Sequence, residues 1–170
     1  MRKVILILSS LFFIGTTIQA QTVKFGHVDS NEIIQAMPEL EQAQKTLQDL
    51  AKELEEAMAG MQREFQTKYQ DYQSKYETLS SVLRKSREEE LQDLQKRVET
   101  FRQTAQQELQ QKEVALQQPI IEKVQNAIEE VGKEQKFTYI FDATPGSGLL
   151  YKAATATDVT PLVKKQLGLQ

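Results

Sequence analysis

The sequence predicts an α+β protein in which a long antiparallel α-helical hairpin, coiled-coil-like, stands on a small β-rich body. Three observations carry this. From Glu39 to Glu134 only Gly60 and Pro119 interrupt a run dominated by Gln, Glu, Lys, Leu and Ala, all good helix formers. Within that run apolar residues recur three and four apart, the spacing of helices that pack along a seam. The flanks instead carry short β-branched and aromatic runs bounded by Gly, Pro and Asp, the mark of strands and turns.

The elements follow in order. Arg2 and Lys3 precede an apolar stretch from Val4 to Ile14, and Ala20 offers a small residue before a cut at Ala20-Gln21. That is the layout of a secretory signal peptide over residues 1–20. The stretch is short for a bilayer span, and no Cys follows it to take a lipid anchor. The mature chain is therefore expected to be exported and soluble, without a membrane span. Thr22 to Val28 alternates as a strand, Ser30 is placed to cap a short helix bearing Ile33 and Ile34, and Pro38 sits in the first turn of the long helix.

The outgoing arm's apolar positions run Leu40, Ala43, Leu47, Leu50, Leu54, Ala57, Met61, Phe65, Tyr69, Tyr72, Tyr76, Leu79 and Leu83. A run of fours from Ala57 to Tyr69 slips the heptad register. The returning arm repeats the logic from Leu91, Leu94, Val98 and Phe101 to Ile120, Val124 and Val131. Opposite charges four apart, such as Glu64/Lys68, Asp71/Lys75 and Glu129/Lys133, support both helices. The seam lapses near 80–86, where Ser86 and Glu89 fit a capping box. A tip there gives nearly equal arms of roughly 65–70 Å. Pro119 should kink the returning arm or start a fresh helix. Beyond it, Phe137 to Phe141 and Leu149 to Tyr151 read as strands around the turn Pro145-Gly146-Ser147-Gly148. Thr160-Pro161 opens a last helix with Leu162, Val163 and Leu167.

Composition narrows the function. The 170 residues contain no Cys and one His, which excludes thiol catalysis, disulfides and clustered Cys/His metal sites. The net charge of −3 lacks the basic excess that a phosphate backbone demands, so nucleic acid is a poor partner. The glycine-containing turn lacks the Lys of a phosphate loop, and no nucleophile-elbow pattern occurs. No enzyme and no cofactor are expected. Glu88-Glu89-Glu90 reads as a solvated helix start rather than a divalent-ion site, because neighbouring helical residues point apart. His27 reads as a strand residue packed near the body. The body, residues 21–38 and 135–170, has only 54 residues, and arms that splay from it are not expected to supply its core. Self-association is therefore expected.

The stretch FGHVDSNEIIQAMPE resembles the opening strand, turn and helix of the Skp/OmpH family of periplasmic chaperones. PIIEKVQNAIEEVGKEQKFTYIFDAT resembles that family's returning helix, second strand and closing Asp, and LLYKAATATDVTPLVKKQL its third strand and final helix. The resemblance implies a homotrimer whose small β body is completed by trimerisation, with helical tentacles around a cavity. It further implies a periplasmic holdase that binds unfolded outer-membrane proteins without ATP. The arms over 39–134 carry 14 basic and 20 acidic residues, whereas family members are often strongly basic. That balance argues against an electrostatic grip on acidic clients or lipopolysaccharide and shifts binding towards apolar contact.

The candidate client-contacting residues are Met58, Met61, Phe65, Tyr69, Tyr72, Tyr76 and Phe101. Aromatic and Met side chains make an adaptable apolar surface, although the same residues also serve to fill a two-helix seam. Val23, Phe25, Val28, Phe137, Tyr139, Ile140, Phe141, Leu149 and Leu150 are the candidate trimer body, and Pro38 and Pro119 the candidate hinges. An exported structural or adaptor coiled coil that docks a folded partner is the competing reading.

Overall fold

The structure, a computed structural model, describes residues 23–169; the signal sequence expected over 1–20 lies outside the described residues. The chain runs β1 (Phe25–Val28), α1 (Ser30–Gln35), α2 (Pro38–Lys75), α3 (Ser81–Glu134), β2 (Tyr139–Asp142) and α4 (Thr160–Gln166). Helices α2 and α3 pack as the hairpin. Strands β1 and β2 pair in parallel, with Phe25 opposite Tyr139 and His27 opposite Phe141. The whole hairpin is thus the crossover between two parallel strands.

Local chemistry sets each boundary. The cap of α1 is Asp29, whose carboxylate accepts from the Glu32 amide at 2.9 Å, and not Ser30 as the sequence led us to expect. Ser30 is instead the first helical residue, and its hydroxyl donates to Asp142 Oδ2 at 2.5 Å. Pro38 opens α2, where its missing N–H costs nothing. At the far end α2 stops at Lys75, and Ser80 caps α3 by accepting from the Leu83 amide at 3.4 Å. The tip therefore occupies residues 76–80, ahead of the expected 80–86. Ser86 and Glu89, the expected capping box, lie inside α3, because Ser80 already satisfies the first free amides. The arms are consequently unequal, 38 and 54 residues, or roughly 57 and 81 Å.

Pro119 lies within α3 without ending it, so no fresh helix starts there. The end of α3 is closed by Phe137 donating to the Gly132 carbonyl at 2.9 Å across Lys136, which takes the left-handed φ of 56°. That is a Schellman closure built on a residue other than the usual Gly.

One core joins the body to the base of the arms. Val28, Ile33, Met37, Val159 and Val163 pack with Ala43 from α2 and with Ile120, Val124, Ala127 and Val131 from α3. The expectation that the arms supply no core is thus overturned. The extra length of α3 runs beyond the start of α2, and its final turns form the floor on which the small elements sit. On the sheet's other edge, residues 157–159 run alongside β1: His27 donates to Thr157 O at 2.9 Å and Val159 to His27 O at 2.8 Å. Both edges of β1 are therefore occupied. Leu149–Tyr151, expected as a third strand, is irregular and exposed; the place beside β1 is taken by residues 157–159. Strand β2 begins at Tyr139, two residues later than expected, because Phe137 closes the helix and lies beside Gly26.

Candidate functional site

Two surfaces qualify, one on the arms and one on the body. The arm seam runs through Leu47, Leu50, Leu54, Met58, Met61, Phe65, Lys68 and Tyr72, all partly buried. Ala57, Tyr69 and Tyr76, which the sequence placed on the seam, are exposed. The expected run of fours is therefore not the packing line. From Leu54 onward Met58 and Lys68 restore the alternation of threes and fours, and Lys68 can serve there because its ammonium meets Glu90 across the hairpin. The spacing of apolar residues alone hides a Lys whose stem lies along the seam and whose charge finds a partner.

The displaced Tyr69 and Tyr76 each pair with a seam aromatic, and the two pairs make an aromatic ledge near the tip. The rings of Phe65 and Tyr69 stack with centroids 6.0 Å apart, and Tyr72 and Tyr76 meet edge to face at 5.6 Å. The Arg84 guanidinium lies 5.0 Å over the Tyr76 ring, a geometry that favours a cation on the ring face. The Tyr72 hydroxyl donates to Glu88 at 2.5 Å. That bond, with burial and the adjacent negative charge, pushes the phenol up to about 12. Bonds from Lys68 and Arg87 hold the Glu90 carboxyl below its usual range. Lower on the arm, Met61 and Phe101 share a depression of 510 Å³ rimmed by Asp93, Lys96 and Arg97. Met58 belongs to the seam rather than to the ledge.

The candidate hinges lie at the base. Pro119 lines a 420 Å³ depression with Ala43, Leu116 and Ile120. Beside it Lys123 bonds Glu39 and holds that carboxyl below its usual range.

The body presents a second apolar surface. Phe25, Tyr139 and Phe141 stand on one face of the sheet with centroids 6.0–6.1 Å apart, and each is about half exposed. Val28 and Ile140 point to the other face, into the core. Of the remaining candidates, Val23 is exposed, Phe137 is partly buried and carries the Lys24 ammonium 4.0 Å over its ring. Leu150 is 98% exposed and Tyr151 beside it 80%. His27 is buried beside these aromatics, and its Nδ1 has no hydrogen-bond partner among the described residues.

The structure also exposes a residue that the sequence reading passed over and one that it placed on the seam. Val82 is 76% exposed in the first turn of α3, and Leu83, expected on the seam, is also open because it lies in the first turn after the tip. The signal for Val82 was present: it falls off the heptad line, immediately after Ser80-Ser81. No helix among the described residues is long and apolar enough to cross a membrane.

Comparison with known proteins agrees with this architecture. A crystallised protein of Caulobacter crescentus CB15, assigned as an OmpH-like outer membrane chaperone, has the same fold, with a TM-score of 0.74 at 15% identity over 85% of this chain and 83% of that one. A search of curated sequences returns no match. The family model "Outer membrane protein (OmpH-like)" matches residues 24–167, from the first strand through the last helix, and the chain belongs to that family.

Proposed function

We propose that the protein is an ATP-independent holdase chaperone of the periplasm, exported through a signal peptide cleaved near Ala20-Gln21. It binds unfolded outer-membrane proteins between its arms and prevents their aggregation. The observation that carries this reading is the aromatic ledge. Phe65, Tyr69, Tyr72 and Tyr76 project from a hairpin whose seam needs only some of them, leaving Tyr69 and Tyr76 open. Many weak apolar contacts of this kind hold a client tightly in sum and release it locally. The family membership and the neighbour's assignment as a chaperone support the reading.

The working unit is a homotrimer. Exposed aromatics on the sheet and the unpaired Leu149–Tyr151 segment form an apolar body surface that an isolated chain leaves in water, and three copies would cover it. Residues 21–38 and 135–170 act as this body, and Pro38 and Pro119 as the bases about which the arms spread. Pro119→Ala should alter arm spread, read by small-angle scattering, or client capacity; unchanged values of both would remove the hinge role.

The experiment dilutes a urea-unfolded outer-membrane β-barrel with and without the protein and sizes the soluble fraction by chromatography with light scattering. A soluble complex of one client and three subunits is expected. A second reading, an exported structural or adaptor coiled coil, is favoured by Val82 and Leu83, open at the tip. A client that precipitates while the protein elutes as a defined oligomer would select it.

A further inference from the structure

The outward faces of the two arms differ. On α2 the face away from the seam is charged, with Glu41, Lys45, Asp49, Lys52 and Glu56 all exposed. On α3 the corresponding face from Thr100 to Gln125 is lined by uncharged residues, and the carboxylates at its margin, Glu99 and Glu122, accept from Gln103 at 3.2 Å and from Gln118 at 2.8 Å. The face passes through Gln103, Gln107, Gln111, Val114, Gln118 and Ile121, spaced three and four apart and all exposed. In its middle lies an open depression of 740 Å³, lined by Gln107, Gln110, Gln111, Val114, Ala115 and Gln118. Val114 is 59% exposed there. Because Pro119 has no N–H, the Ala115 carbonyl four residues earlier also lacks its helix bond.

We infer that this stripe binds the main chain of an extended polypeptide, a deepening of the chaperone reading on which it rests. A carboxamide offers both donors and an acceptor, the same pair that a peptide group presents, so a row of Gln side chains matches backbone whatever its sequence. Because Glu99 and Glu122 are already bonded by Gln103 and Gln118, an unfolded segment is spared the cost of facing an unpaired ion. Val114 and Ile121 give the stripe an apolar floor. The stripe is about 38 Å long, enough for about 11 extended residues. A second copy of the chain fits it poorly. Two apolar residues seven apart make half a heptad seam, and a fixed interface would have to immobilise many flexible Gln side chains.

The test uses the full chain and two blocked ten-residue peptides of alternating Val and Ser, one with alternate backbone amides N-methylated. Wild type should bind the unmethylated peptide more tightly. Gln107→Ala, Gln111→Ala and Gln118→Ala together keep good helix formers. They should weaken binding of that peptide about tenfold, as three neutral hydrogen bonds of modest net strength would, and leave the methylated one unaffected. Equal binding of the two peptides by wild type, or no loss in the triple variant, overturns the inference. So does a changed light-scattering mass of the triple variant, which would assign the stripe to a second copy. Barrel solubility, measured separately with wild type, reports on the chaperone reading itself.

Discussion

Body and arms are held together in opposite ways. In the body, bonds join residues far apart in sequence. Asp29 donates its amide to Thr160 Oγ1 across 131 positions, Thr144 donates to Asp29 across 115, and Lys164 meets Glu32 across 132. In the arms, most polar bonds reach three or four residues along one helix, as between Lys75 and Asp71 or Arg102 and Glu99. The body thus depends on a few residues of fixed identity. The arms spread their stability over many replaceable ones, which is what a surface must do if it is to yield to varied clients.

The sharpest test of that contrast is Ile33→Ala. Ile33 is fully buried at the centre of the body, and its loss should cost about 2–5 kcal/mol, read as a shift in the urea midpoint. Substituting a seam residue that is only partly buried, such as Leu50, should cost much less; equal losses would break the comparison. Gly26→Ala comes next. A Cβ at Gly26 would fall 2.9 Å from the Phe137 ring and 3.2 Å from Val159, so crowding should cost about 1–3 kcal/mol. Gly60→Ala, with open space around it, should be neutral or stabilising.

Acid should act on the body through Asp142 and Asp158. Burial pushes both carboxyls up, but hydrogen bonds from Ser30 and Thr144 to the first, and from Thr160 to the second, outweigh it. Both end below the ordinary 3.8. A depressed folded value means that the contribution is complete above the unfolded pKa and is lost as pH falls through the folded one. The urea midpoint should therefore drop below about pH 4. Asp142→Asn with Asp158→Asn should flatten that drop, whereas Glu90→Gln on the exposed arm should hardly change it. The smallest effect is a gain. Lys136→Gly relieves the left-handed φ of 56° and should stabilise by about 0.5–1 kcal/mol, measured by thermal unfolding.

The same contrast governs what the sequence made legible. Both arms, Pro38 at the start of α2 and the final helix at Thr160 were readable because they follow from spacing and local capping. The tip was misplaced because two serine clusters competed, and only the hydrogen bond of Ser80 to Leu83 decides between them. The packing line of the arms was only partly legible. Lys68 replaces Tyr69 on the seam through a partner 22 residues away, and no periodicity reveals that. Leu149–Tyr151 looked like a strand because composition reports the wish to pair, not which segment lies beside β1. The partners of β1 could not be read at all, since they depend on how the ends of the chain meet.

The crossover between those ends has a consequence for how the molecule comes to be. Lys24 bonds Thr138 across 114 positions, so the first strand must find a partner that lies far along the chain. Closing a loop of that length at random is slow. A hairpin that zips α2 against α3 from the tip would shorten the search, since it would bring the two ends side by side before either strand has paired. The arms would then be the folding scaffold of the body as well as its appendage. A chain lacking its last thirty residues would keep the zipper and lose the clasp.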